Sequence, residues 1–139
     1  MKNIFEVLDE VRVASSDEER INILRSNDTF ALRCVLRASF HPNIRFVIEV
    51  PAYKPNEDPI ELTGNTLHME VNRIYLFEEN NPRVDPNLTL ERRRIILRQI
   101  LESLYFKEAE VMAKMFKKDL EVPGLTYNIV DQAFPGVLA

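Results

Sequence analysis

The sequence predicts an all-α fold of about six to seven helices, a single domain over residues 1–139. Three observations lead there. Apolar residues recur at helical spacing along most of the chain. Each such stretch begins near a residue suited to cap a helix. Between them lies no internal repeat, no low-complexity segment and no linker long enough to separate two domains.

Ile4, Leu8 and Val11 share one face of a first helix, with Asn3 placed to cap it. Ser16-Asp17-Glu18-Glu19 makes a capping box, in which Ser16 accepts from the amide of Glu19 and Glu19 reaches back. Ile21 and Leu24 of that second helix face inward. A third helix follows Asn27-Asp28 and carries Leu32, Val35, Leu36 and Phe40 at helical spacing. His41-Pro42-Asn43 ends it, because the residue before a proline avoids the helical region. Phe46-Val47-Ile48-Glu49-Val50 fits a short strand or one more apolar turn, and periodicity does not choose between them. Pro51, Pro55, Pro59 and Gly64 among polar neighbours make Pro51–Asn65 a surface loop. Leu67, Val71, Ile74 and Tyr75 mark a fourth, long helix, closed by Asn80-Asn81-Pro82, and Asp85-Pro86-Asn87 completes a turn. Thr89 starts the strongest helix, with Leu97, Ile100, Leu101 and Leu104 on its buried side. The next helix uses Ala109, Met112 and Phe116 and is broken by Pro123-Gly124; a last short one runs from about Thr126 to Phe134.

A chain of this length buries most of its apolar surface without covalent staples. Its one cysteine, Cys34, excludes an intramolecular disulfide, which suits a reducing compartment, and reads as a small core residue. The opening Met1-Lys2-Asn3-Ile4-Phe5-Glu6 reaches an acidic residue too early for a secretory leader. No run approaches the roughly 20 apolar residues of a membrane span, so the expected location is the cytoplasm, with no membrane partner. Net charge is −4, unevenly spread. Residues 1–86 carry ten Lys/Arg against fifteen Asp/Glu, and residues 87–139 carry eight against seven, so the second half is the one able to present a basic face.

Catalytic and cofactor chemistry finds no footing. Three glycines, Gly64, Gly124 and Gly136, make no phosphate-cradling loop. His41, His68 and Cys34 stand apart, with no HExxH or CxxC spacing, so neither a metal site nor a cofactor site is expected. His41 reads as a helix-end residue, Cys34 has no placed histidine partner, and the pairs Glu57-Asp58 and Glu78-Glu79 read as solvated charge beside loops. No catalytic residue is assigned.

The cations fall into three groups. Arg33 and Arg37 lie one turn apart on the third helix, which has no acidic residue between Thr29 and Phe40, and Arg45 follows. Arg92-Arg93-Arg94 and Arg98 sit on the strongest helix, where Glu91, Arg94, Arg98 and Glu102 fall along one face and are expected to pair among themselves. Lys107, Lys114, Lys117 and Lys118 share a polar face leading to Leu120 and the Pro123-Gly124 turn. Beyond that turn, Thr126 and Asn128 open the last helix, where free amides and the helix dipole favour an anion such as a phosphate.

Lys117-Lys118-Asp119-Leu120-Glu121, followed by Gly124 and a short helix ending in Ala133-Phe134-Pro135-Gly136-Val137-Leu138, resembles the end of the N-terminal DNA-binding domain of ATP-dependent DNA ligases. The likeness is closest to the branch found in T-even bacteriophages. Leu8-Asp9-Glu10-Val11, Ser15-Ser16, Ile23-Leu24, Asn27, and Leu32 through Phe40 followed by Phe46 agree with the opening of that domain. The resemblance spans most of the chain at low identity and is weakest from about Pro51 to Leu88. It implies an all-helical domain that grips duplex DNA through its minor-groove face, holding backbone on both sides of a nick while a separate domain does the chemistry. The nucleotidyl-accepting Lys-x-Asp-Gly motif is absent, since the chain contains no Asp-Gly pair. What is implied is a free-standing, phage-encoded relative of the domain, acting in the host cytoplasm without ligase activity.

Carried over residue by residue, the implied DNA contacts are Lys117 and Lys118, with Gly124, Thr126 and Asn128 at the start of the last helix. Lys114, Arg33 and Arg37 stand beside them, and Asp119 is implied to be a local structural partner. Pro123 before the glycine, Asp131 on the last helix and the acidic total depart from the family pattern and count against tight binding.

Two readings follow. In the first, the protein is a non-catalytic binder of double-stranded DNA, holding phosphates with little base readout, on intact, nicked or distorted duplex. In the second, the fold serves as a protein-interaction module or small regulator with a phage or host protein partner, recruiting a replication or transcription component or assembling with itself. The acidic first half and the Pro51–Asn65 loop motivate the second.

Overall fold

The computed structural model describes all 139 residues, and its helices are α1 (Ile4–Val13), α2 (Asp17–Ser26), α3 (Phe30–Phe40), α4 (Leu67–Glu70), α5 (Leu90–Ser103), α6 (Phe106–Phe116) and α7 (Tyr127–Ala133). The fold is all-α. Two isolated bridges, Phe46 with Glu78 and Asn56 with Tyr105, are the only β-type pairings.

Capping explains most of the boundaries. Thr29, Thr66, Thr89 and Thr126 each accept the amide three residues on through the side-chain hydroxyl. Ser16 does the same for Glu19 at 3.1 Å, but the Glu19 carboxylate reaches one residue further back than a capping box requires, to Ser15 Oγ at 2.8 Å and its amide at 3.0 Å. At α1, the Glu6 carboxylate accepts from both the backbone and the side-chain amide of Asn3.

α6 is the centre of the molecule. Ala109, Val111, Met112, Ala113, Met115 and Phe116 are all buried, and α1, α3, α4 and α5 pack around it. A helix apolar on most of its circumference has no stable place except inside. At its end, Phe116 takes Phe46 and Phe77 edge-on at centroid separations of 4.7 and 5.3 Å, each pair contributing about 0.5–1.5 kcal/mol beyond burial. One continuous core includes residues from all seven helices.

Three expectations need correction. The long fourth helix is a single α-turn, α4, running directly into a 3₁₀ segment over Val71–Phe77. Val71, Ile74 and Phe77 are its buried residues, and a spacing of three stacks them on one line only when the helix has three residues per turn. Phe77, fully buried, takes the core position expected of Tyr75. Second, α6 ends at Phe116, well before Pro123-Gly124, for a reason given below. Third, Phe46–Val50 is neither helix nor strand. It is an irregular segment, bent at Val47 and Ile48 and tied alongside the 3₁₀ end, Val47 N–H donating to Phe77 O at 2.9 Å and Glu79 N–H to Arg45 O at 2.7 Å.

Pro51–Asn65 is a surface loop with one 3₁₀ turn at Ile60–Leu62, pinned to the α5–α6 junction. Lys54 N–H donates to the Glu102 carboxylate at 2.8 Å and Phe106 N–H to Asn56 O at 3.0 Å. α2 and α7 lie side by side in the same direction. Arg20, early in α2, sits under Gly124, while Arg25, late in α2, donates to the end carbonyls of α7 at Gln132 (2.7 Å) and Ala133 (3.3 Å). No helix is long and apolar enough to cross a membrane.

Candidate nucleic-acid interface

The last turn of α6 closes in a Schellman arrangement. Lys118 takes the left-handed conformation (φ 62°), its N–H donates to Met115 O at 3.0 Å, and Asp119 N–H donates to Lys114 O at 3.1 Å. Glycine is the usual residue there, because a side chain costs about 1–2 kcal/mol in this region. Here the side chain offsets the strain. The Lys118 ammonium donates to Ala38 O (2.8 Å), His41 O (2.8 Å) and Ile44 O (2.9 Å), carbonyls at and just beyond the C-terminus of α3. A cation there complements the negative end of the helix dipole. Burial, with Arg37 nearby, holds the Lys118 amine below its ordinary value, and Glu78 opposes the shift. His41 completes the junction. Its Nδ1 accepts from Asn43 N–H at 3.1 Å, and the neutral tautomer protonated at Nε2 donates to Ala139 O at 3.1 Å.

This geometry gives several of the expected DNA contacts partners within the chain. All three hydrogens of the Lys118 ammonium are engaged by backbone, so it welds α6 to α3 rather than facing outward. Lys114 is ion-paired with Glu121 at 3.1 Å. Thr126 uses its hydroxyl as the cap of α7. Gly124 has φ 82°, and a Cβ there would fall within 2.5 Å of Arg20 Cζ, so the glycine is required by backbone and packing together. Arg33 forks onto Asp28 at 2.7 and 2.8 Å and lies over the Phe134 ring at 4.7 Å; that pairing holds the Asp28 carboxyl below its ordinary value. Asp119 is the local partner expected of it, accepting from Glu121 N–H at 2.9 Å. Lys117, Arg37 and Asn128 are exposed, and the side chain of each is without an ion pair or hydrogen bond.

The expected set is thus divided. Asn128 and Thr126 stand at the α7 end, beside α2, whose first turn carries Asp17, Glu18 and Glu19; Asp17 and Glu18 share a surface depression with Gln132 of α7. That acidity opposes an anion near α7. Arg37 and Lys117, in contrast, each adjoin a residue of the Lys118 junction, Ala38 and Lys118. Two of the three carbonyls that the Lys118 ammonium takes have an exposed, unpaired arginine as chain neighbour, Arg37 beside Ala38 and Arg45 beside Ile44, and Lys117 precedes Lys118 itself; the third, His41, has no such neighbour. Arg45 lay outside the contacts implied by the sequence. Its link to the junction is the bond from Lys118 to its neighbour Ile44, spanning 74 residues, which no local pattern encodes.

Arg37 and Arg45 border a groove of about 510 Å³ between α3 and residues 71–83. Arg83, stacked on Tyr75 at 4.1 Å, forms part of its far wall, with Glu78 and Glu79. Cys34 lines it too, and burial pushes this thiol above its ordinary value, the reverse of what a nucleophile needs. No cluster of His, Cys, Asp or Glu converges to hold a metal ion.

The expected pairing along α5 is absent. Glu91, Arg94 and Arg98 form no ion pairs, and Glu102 turns instead to the Lys54 amide. Arg92, Arg94 and Arg98 project into solvent, while Arg93 lies at the inner edge with its Nε buried.

No curated protein matches the chain. A family model described as a family of unknown function, DUF6433, matches residues 7–122, which takes in most of α1, all of α2 through α6 and the Lys117–Glu121 turn but not α7. With most of its length matched, the chain belongs to the DUF6433 family.

Proposed function

We propose that the protein is a non-catalytic binder of double-stranded DNA that holds the phosphate backbone at the junction of α3 with the turn after α6. The observation that carries this reading is that Arg37, Arg45 and Lys117, all exposed and unpaired, are the chain neighbours of Ala38, Ile44 and Lys118, which the half-buried Lys118 ammonium joins in one junction. The welded junction holds three cations on one rigid support, which suits backbone contact better than mobile surface lysines would. The resemblance of Lys117–Glu121 and the terminal Pro-Gly element to the DNA-binding domain of DNA ligases supports the same reading. The contact surface moves from the α7 start towards α3.

The test is fluorescence anisotropy of labelled intact, nicked and single-stranded DNA at about 50 and 200 mM salt. Phosphate binding predicts an affinity that collapses over that range. Replacing Arg37, Arg45 and Lys117 together by Gln should flatten the salt slope by about 0.9 per lost contact. No duplex binding at the lower salt overturns the reading. One observation favours the protein-interaction alternative: Phe30, 68% exposed, stands at the rim of the groove, where a partner's apolar side chain would cover it. A nuclease-resistant partner that is lost on Phe30→Ser substitution, together with no DNA binding, would establish that alternative.

A further inference from the structure

We propose that the groove between α3 and residues 71–83 takes one unpaired nucleotide, so that the protein prefers duplex carrying a free base, as at a flap, to intact duplex. This rests on the reading of the protein as a duplex binder and names the DNA structure that fits the same site.

The groove is built from two regular faces. On α3, Phe30, Cys34 and Arg37 follow at spacings of four and three, which places them on one stripe of the helix. Opposite, Asn72 and Tyr75 share one line of the 3₁₀ segment, whose turn takes three residues. The buried side chains of Ile44, Val71 and Ile74 give the groove an apolar base. Its volume, about 510 Å³, falls within the roughly 300–1,000 Å³ of small-ligand pockets.

The lining divides as a nucleotide does. Arg37 and Arg45 border the groove with planar forks suited to a phosphate. The Tyr75 ring has the Arg83 guanidinium over it at 4.1 Å, and Phe30 at the rim is 68% exposed. Aromatic rings and guanidinium planes are the platforms on which unstacked bases lie. Asn43 and Glu79 add an amide and a carboxylate, groups that bond base edges. On the 71–83 wall Glu78 and Glu79 outnumber Arg83 and oppose phosphates, so a neutral base fits that side better than continued backbone. Intact duplex turns its backbone to such a surface, meets the bordering arginines, and leaves the apolar base of the groove uncovered. A nucleotide already free of its stack fills both parts at the smallest unstacking cost.

The experiment uses the full chain at about 50 mM salt with a labelled intact duplex, the same duplex with a one-nucleotide flap, and that flap lacking its base. The flap should bind about tenfold tighter than the intact duplex, as one base–aromatic stack contributes, and removing the base should abolish the difference. Phe30→Ser with Tyr75→Ala should lose the flap preference while keeping intact-duplex affinity and its salt slope, whereas R37Q/R45Q/K117Q should weaken binding of every DNA. Iodouracil placed in the flap should photocrosslink to Phe30 or Tyr75. Phe30 is exposed, so Phe30→Ser alone serves if the double variant melts early. Equal binding of flap and intact duplex, a preference that survives loss of the base or of the two rings, or a crosslink only outside the groove overturns the nucleotide site and leaves the duplex reading standing. Absence of any DNA binding overturns both.

Discussion

Lys118 shows how one side chain changes its meaning between sequence and structure. In the sequence it is half of a Lys-Lys pair; in the fold it is a half-buried ammonium holding three carbonyls. Replacing it by Met should cost about 2 kcal/mol or more, since charge-assisted bonds to the end of α3 are lost. Lys118→Gly should be milder by about 1 kcal/mol, because glycine relieves the left-handed backbone. Urea denaturation of the two variants separates side-chain and backbone contributions, and a Met variant as stable as wild type would return Lys118 to the list of DNA contacts. Glu108 is the other residue that the fold makes unusual. It is wholly buried in α6, with Oε2 accepting from Leu67 N–H at 3.1 Å and Oε1 unpartnered. Burial raises its carboxyl above the ordinary value, and the Leu67 bond opposes that only in part. A carboxyl raised in the folded state binds its proton more tightly there. Its favourable contribution is thus full below the ordinary carboxylate range and is lost as pH rises through the folded value. Glu108→Gln should therefore stabilise the protein at pH 7 by about 1 kcal/mol, with the gain gone by about pH 4. A difference that does not vary with pH would show that charge is not the cost.

At the scale of elements, the helices that the sequence makes legible are those with a cap and a four-residue rhythm. Thr89 with Leu97, Ile100, Leu101 and Leu104 is the clearest, α1 and α3 follow from the same two signals, and α2 is legible chiefly from its capping residues. The failures have physical causes. Val71, Ile74 and Phe77 fit either a 3.6- or a three-residue period over so short a stretch, and tertiary packing of Phe77 against Phe116 decides for the tighter helix. The end of α6 was hidden because lysine, not glycine or asparagine, takes the left-handed position. The candidate site was legible in part. Arg37 and Lys117 could be named as cations, but the junction that links their segments with that of Arg45 depends on contacts far apart in sequence. The 3₁₀ segment itself is testable. Phe77→Ala should destabilise by about 3–5 kcal/mol, and Tyr75→Ala by much less, because Tyr75 lies at the groove wall rather than in the core. Comparable losses in thermal unfolding would mean that the segment packs as the α-helix its spacing first suggests.

Across the whole molecule, the stretch that the family model matches and the stretch that folds together do not have the same end. The match closes at residue 122, yet Leu125, Ile129, Val130, Phe134 and Leu138 are buried in the same core as α1 to α6. Their cover is reciprocal. α7 lies along α2, Arg25 satisfies its last carbonyls, Arg33 lies over Phe134, and His41 reaches Ala139. Each large apolar side chain buried in this way favours the fold by about 1.5–3 kcal/mol, less the entropy of ordering the segment. Removing residues 123–139 also uncovers the apolar side of α2 and strands the cations at its edge. A chain ending at Val122 should melt about 10 °C lower or lose its cooperative transition, and should bind a hydrophobic dye that the full chain excludes. Loss of duplex affinity in that truncation would then reflect a disturbed α3 junction rather than missing contacts on α7. The distinction can be drawn in the intact chain, where Asn128→Ala should leave the salt slope unchanged while R37Q/R45Q/K117Q flattens it. If instead the shortened chain unfolds as cooperatively as the whole, residues 7–122 hold a self-sufficient core, and α7 is an appendage whose exposed first turn becomes the better place to look for the phosphate.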